Sequence, residues 1–348
     1  MPTVRTAAPA VLDPFGEHRP LAFCEPVHAF GARFDVRSDS RELLALARQA
    51  YRGLPAQRLP GRTRRCDVEL RLSDAGAEPD ALAEPPPVRT QGGAGLLCGI
   101  VDGANFAIVQ PQVRRALVTI SRQMLERHPY HARYELLEFA LFTLACRGLG
   151  LMPLHAACVG RQGHGLLLLG DSGAGKSTLA LHAMLQGMQL LTEDATFVRP
   201  DSLVATGVPN FVHLRPQALD WIGDAGLLQA VRCAPVIRRR SGVEKFELDL
   251  RQPGCRPATA ALRLAGVVIV SEALASNPDK LLRPTAPGAL RRRLLASQPY
   301  ARGMAGWAGF ADRLCRLPAF QLRRGRHPQE GAAALQALLH DDSTPSAG

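Results

Sequence analysis

The chain has 348 residues, 46% of them hydrophobic and 21% charged, which suits a globular protein with a buried core and leaves room for two domains. No run of 18 apolar residues occurs and residues 1–20 hold no sustained apolar stretch, so neither a transmembrane helix nor a signal peptide is expected, and the chain reads as cytoplasmic. The net charge of +11 rests on 42 basic residues, three of them Lys (176, 245 and 280) and hence 39 Arg; these are spread along the chain with no aromatic stacking pattern, which argues against nucleic acid as a partner.

The first third reads as a small α+β unit. Val27 to Val36 alternates like a strand, Ser38-Asp39-Ser40 offers N-caps, and Arg41 to Tyr51 continues as an amphipathic helix. Asp67 to Leu72 is a second alternating strand, and Ala75 to Pro87 is a loop rich in Pro and Glu. Gly95 to Val109, split by Asp102-Gly103, predicts a hairpin, and Arg114 to Ile120 a further strand. No chemical motif appears in this part. Tyr134 to Cys146 is a strongly apolar helix expected to pack on a sheet, and Leu154 to Val159 a strand leading onward.

Gly165 to Asp194 carries the chemistry. Leu166–Leu169 is a short apolar run of the kind buried on both faces of a parallel sheet. Gly170-Asp171-Ser172-Gly173-Ala174-Gly175-Lys176-Ser177 then matches G-x-x-x-x-G-K-[ST], with Thr178 opening a helix to Gln186 and Gly187 stopping it. In such a loop the glycines let amide N–H groups converge on phosphate oxygens, and the helix dipole adds positive potential. Lys176 reaches the β- and γ-phosphates, and the Ser177 hydroxyl ligates Mg²⁺. Lysine is scarce in this chain, yet one stands where the pattern requires it.

Met188 to Leu191 predicts the next strand, ending on Glu193-Asp194. These acids return to the sheet edge beside the phosphates, one to hold Mg²⁺ and the other to accept a proton from an attacking hydroxyl, with Asp194 favoured as base. His155 is a candidate neighbour of the pair. Glu272, expected just past the end of the strand Gly266–Val270, is a further metal candidate. Arg238–Arg240 with Lys245 can close over phosphates or grip an acidic substrate, or form a solvated loop; Arg291–Arg293 reads as the wet face of a helix over Pro287–Ser297. A strand over Ala319–Arg323 and a helix over Gln329–Leu339 complete the prediction.

The run from His155 through Gly170-Asp-Ser-Gly-Ala-Gly-Lys-Ser-Thr178 to Gly187-Met-Gln-Leu-Leu-Thr-Glu-Asp194 resembles the catalytic domain of the HPr kinase/phosphorylase family, and the wider layout resembles the HPr-kinase-related kinases. The resemblance implies an α/β fold. A P-loop domain of the phosphoenolpyruvate carboxykinase type, with a mixed sheet and flanking helices, would span 131–340, after an α+β domain over 1–130 and before a disordered tail over 341–348. It implies ATP and Mg²⁺ as cofactors and transfer of the γ-phosphate to a protein serine in a bacterial cytoplasm. Asp194 would be the general base and Glu193 the adjacent acid, with His155 in the family's histidine position. The family's Arg-Gly-Leu-Gly-Ile segment does not follow Asp194 here, so HPr as acceptor and phosphorylase activity are not implied. A protein or peptide serine is the expected acceptor, with a small-molecule hydroxyl, or a regulatory nucleotide-binding role with little phosphotransfer, as alternatives. No membrane partner is expected, and a homo-oligomer is compatible with the sequence.

Overall fold

The computed structural model describes residues 20–74, 84–277 and 280–341. The expected tail, the first 19 residues and most of the Ala75–Pro87 loop lie outside them. The fold is mixed α/β, built on two large sheets and one small one.

The first sheet holds β1 (Phe23–Ala29), β2 (Ala32–Ser38), β3 (Arg65–Ser73), β4 (Arg89–Gly93), β5 (Leu96–Ile100), β6 (Phe106–Gln110) and β7 (Arg115–Ser121), in the order β1-β2-β3-β7-β6-β5-β4. The single strand expected over Val27–Val36 is instead a hairpin. Phe30 (φ 53°) and Gly31 (φ 67°) both take left-handed conformations, as a two-residue primed turn demands, and a phenylalanine in the first of these positions hid the turn. The helix α1 (Arg41–Tyr51) crosses from β2 to the parallel β3, and the Ser40 hydroxyl accepts from the Leu43 N–H at its start. The hairpin at Asp102-Gly103 forms as β5 and β6; β4, whose five residues are all polar or glycine, was not foreseen.

The apolar helix expected over Tyr134–Cys146 lies within a helical run from 129 to 148. Two stretches of it, Ala132–Leu137 and Leu144–Gly148, are wound with i→i+5 hydrogen bonds. Its Leu136, Leu137, Leu141 and Leu144 pack into the core of the first sheet, with Phe30, Phe34 and Phe197. The expected division at 130 thus falls at the start of a run whose apolar side is shared with the N-terminal strands.

The second large sheet contains β8 (Met152–His155), β9 (Ala157–Arg161), β10 (His164–Leu169), β11 (Gln189–Thr192), β12 (Ala195–Arg199), β13 (Val204–Thr206), β17 (Leu262–Leu274), β18 (Leu282–Pro284) and β19 (Ala319–Arg324). Strands β14 (Phe211–Leu214), β15 (Val236–Arg238) and β16 (Glu244–Asp249) form a three-stranded sheet beside it. In β10, Leu166 and Leu168 enter one core and Leu167 and Leu169 another, so the strand is buried on both faces. It pairs in parallel with β17 and antiparallel with β9.

The strand expected over Leu154–Val159 is broken at Ala156, and this break shapes the site. The order runs β11-β9-β10-β17-β13-β12-β8, so the two pieces flanking Ala156 stand near opposite ends, and the sheet curls until its ends meet. There the ribbon of β8 and β9 faces the ribbon of β11 and β12. Cys158 pairs with Thr192, the Ala156 N–H donates to the Asp194 carbonyl at 2.9 Å, and His155 pairs with Ala195. Glu193 and Asp194 are the two residues at the crossing. Glu272, expected beyond its strand, lies within β17, which runs 13 residues.

Candidate active site

Leu169 ends β10, and Gly170 to Gly175 loops into the helix Lys176–Leu185. Gly173 (φ 94°) and Gly175 (φ 93°) occupy left-handed positions closed to most side chains, and they turn the loop around the helix start. Gly187 (φ 96°) ends the helix as expected. Lys176 is buried, and its Nζ donates to the carbonyls of Gly170 at 2.9 Å and Asp171 at 3.1 Å. Burial lowers its pKa, opposed by the charges of Asp194, Glu193 and Asp171. Asp171 is exposed and pairs at 2.8 Å with Arg293, so that arginine, read as wet helix surface, instead reaches the loop.

The adjacent acids differ sharply. Glu193 is buried (5% exposed): its Oε1 accepts from the Ser177 hydroxyl, and its Oε2 lies 3.1 Å from His213 Nδ1. Burial pushes this carboxyl up, but hydrogen bonding and charge from His213, with Lys245 and Ser177 adding to it, hold it well below the usual range. Asp194 keeps 44% of its side chain exposed in the cleft, and its Oδ1 stands 3.1 Å from Nδ1 of His155, itself 49% exposed. His155 is clamped through its backbone by buried Gln298, whose Oε1 accepts from the His155 N–H at 2.7 Å and whose Nε2 donates to its carbonyl at 3.3 Å.

Behind Glu193 runs a buried polar chain that no local pattern announced. His213 Nε2 faces the Tyr134 hydroxyl at 2.9 Å and Glu247 Oε1 at 3.4 Å, and Tyr134 donates to the same Glu247 oxygen at 2.5 Å. Arg133 also donates to it. A carboxylate oxygen faces each ring nitrogen of His213, which favours its protonated form: burial lowers its pKa, but hydrogen bonds to Glu193 and Glu247 prevail and raise it. Glu247 is itself pushed up by burial, then held at about 2 by its bonds to His213 and Arg133. Tyr134, His213 and Glu247 come from the helical run, β14 and β16, so sequence distance concealed them. The buried acid in the alternating Lys245–Leu250 stretch was the one available sign.

A cleft of about 670 Å³ joins these groups: Ser172 to Thr178, Glu193, Asp194 and His155 line it. Arg215, Arg239, Lys245, Glu272, Arg323, Arg324 and Arg326 line it too, with Trp221 and His327. Glu272 lies on the Gly173 side, where its Oε1 is 3.7 Å from the place a Cβ on Gly173 would take, and among the described residues no hydrogen bond or ion pair joins it to Ser177 or Glu193. The loop at Arg238–Gly242 is anchored, unlike the solvated reading. Arg240 donates to Glu135 and to the carbonyls of Pro85 and Pro86, and the Arg239 N–H donates to the Val243 carbonyl at 2.9 Å.

The donor set fits a magnesium-bound nucleotide. Left-handed glycines shape the loop, Lys176 stands at its mouth, and the touching oxygens of Ser177 and Glu193 offer hard ligands of the kind Mg²⁺ takes alongside phosphates. Among the described residues no helix is long and apolar enough to cross a membrane.

No protein-family model and no curated protein matches the chain. Among solved structures, the chain is similar to the HPr(Ser) kinase/phosphatase from Coxiella burnetii at 12% identity, over 54% of this chain and 94% of that one, with a TM-score of 0.26.

Proposed function

We propose that the protein is an ATP- and Mg²⁺-dependent kinase of the HPr-kinase-related type, transferring the γ-phosphate of ATP to a hydroxyl, with a serine of a protein or peptide as the acceptor. The observation that carries this reading is the division of labour between neighbouring acids. Glu193 is buried and committed to Ser177 and His213, whereas Asp194 stands exposed in the same cleft, held by His155. Adjacent carboxylates in such different surroundings suit different tasks.

In this reading Ser172 to Thr178 and Lys176 hold the phosphates, and Ser177 with Glu193 holds the metal. Bound magnesium nucleotide supplies the phosphoryl group and neutralises charge as it moves. Asp194 takes the hydroxyl proton as the acceptor oxygen bonds to the γ-phosphorus and the bond to the β-phosphate oxygen breaks, leaving ADP. His155 aims that carboxylate, and Gln298 fixes the histidine backbone. Positioning and fixed charge provide most of the acceleration.

Replacing Asp194 by Asn is the test. Phosphate transfer from labelled ATP to proteins of a lysate is expected to fall by about 100-fold or more, with ADP affinity measured by calorimetry within about twofold of the parent. Retained transfer would remove Asp194 as base, and failure of the parent protein to bind ADP would remove the kinase reading altogether.

A further inference from the structure

The cleft holds more positive charge than a nucleotide needs. Seven Lys and Arg side chains line it against three carboxylates, Glu193, Asp194 and Glu272, an excess of four. A magnesium-bound triphosphate brings a net charge of about −2, so part of the excess is left over.

Two of these cations come from the small sheet that also carries His213 and Glu247: Lys245 lies on β16, and Arg239 directly follows β15. Arg239 and Lys245 flank one short loop and both line the cleft; Lys245 shares its face of β16 with Glu247, the carboxylate that faces His213 behind Glu193, which sets this loop at the end of the cleft where the acids stand. Arg215, by contrast, approaches the phosphate loop: its guanidinium is 3.5 Å from where a Cβ on Gly173 would lie. The Arg239 Nε is buried and makes no hydrogen bond, and neither Arg239 nor Lys245 forms an ion pair among the described residues. Burial disfavours the charge on Lys245 and outweighs the opposing pull of Glu193 and Asp194, with neighbouring Arg239 adding to the penalty. Half-buried cations that line a cleft without a bonded counterion are available to a ligand, and such groups mark a candidate functional site. Mobility does not account for the arrangement, because Arg240 ties the loop to Glu135 and the Pro85 and Pro86 carbonyls, which fixes Arg239 in place.

Building on the kinase reading, we propose that the acceptor hydroxyl belongs to an anionic compound, and that Arg239 and Lys245 hold its carboxylate or phosphate beside Asp194. The shared chemistry is a hydroxyl with an acid group nearby. An acidic protein segment around a serine supplies it, and so does a small hydroxy acid.

The experiment uses the full chain loaded with MgADP, to which three probes are titrated by calorimetry: the peptides acetyl-Glu-Asp-Ser-Asp-Glu-amide and acetyl-Ala-Ala-Ser-Ala-Ala-amide, and glycerate. At least one acidic probe is expected to bind tenfold or more tightly than the neutral peptide. Arg239→Gln and Lys245→Gln are each expected to weaken that binding about tenfold, with ADP affinity within twofold and the thermal midpoint within a few degrees of the parent. Tighter binding of the acidic peptide assigns the anion to a protein segment, and tighter binding of glycerate to a small acid. Equal binding of acidic and neutral probes, or none by either acidic probe, overturns the proposal without any variant. Loss of ADP affinity in both variants also overturns it, by giving these cations to the nucleotide. If the parent fails to bind MgADP, the kinase reading fails instead, which separates the two.

Discussion

Glu138 shows how closely charge is managed around the cleft. It lies in the helical run beneath the polar chain, with no hydrogen bond to its carboxylate among the described residues; burial pushes its carboxyl up to about 8, against the opposing charges of Arg133, His213 and Arg239. An unfolded glutamate titrates near 4.5. The folded state therefore holds the proton more tightly, so this group costs nothing below about pH 4.5, destabilises progressively as pH rises to about 8, and adds no further cost above that. Glu138→Gln is expected to match the parent in urea unfolding at pH 4 and to exceed it by on the order of 1–3 kcal/mol at pH 8.5. A gain that does not depend on pH would contradict the assignment. The same physics, applied in reverse, keeps Glu247 ionised through His213 and Arg133. Arg133→Met removes one of the two basic groups that hold that carboxylate, His213 being the other, and is expected to cost about 1–3 kcal/mol in urea denaturation.

Among the elements, those with a contiguous signature were legible. The loop Gly170–Ser177, its helix, α1 with its Ser40 cap, and the helix Pro287–Ser297 lie where pattern and capping residues place them. What was missed required a partner distant in sequence. The hairpin at Phe30-Gly31 lacks Asn or Asp, and the turn is selected by the fit of Gly31, whose Cβ position lies 2.6 Å from Leu59 Cγ. The break at Ala156 has no local cause, because a strand that serves both ends of a curling sheet is defined by its neighbours. Close approach of strands also fixes Gly160, where an added Cβ would meet the His164 carbonyl oxygen at 2.3 Å and Leu262 Cδ1 at 2.5 Å. Gly160→Ala must push β9 away from β10, and a loss of about 3 kcal/mol or more in urea denaturation is expected.

At the scale of the whole molecule, the two large sheets are joined by buried polar bonds as well as by Phe30, Phe142 and Phe197. Gln57, from the N-terminal half, donates to the Ala258 carbonyl at 3.1 Å and accepts from the Thr206 hydroxyl at 2.8 Å and the Gly207 N–H at 2.9 Å. Gln57→Ala leaves these groups unsatisfied, and a loss of about 2–4 kcal/mol is expected. The fluorescence of Trp221 and Trp307, both in the C-terminal half, should then report a transition separate from that seen by far-ultraviolet circular dichroism. The phosphate-loop half of the candidate site was legible because its residues are consecutive. The support behind it was not, since it is drawn from positions 134, 213 and 247.

That support has a consequence for how the chain can vary. Tyr134 rides on the helical run that fills the N-terminal core, and its hydroxyl stands two hydrogen bonds from Glu193. Loosening packing around Leu137 or Phe30 would therefore detune chemistry at a distance. Exchanging N-terminal segments between related chains should register as altered turnover before it registers as misfolding.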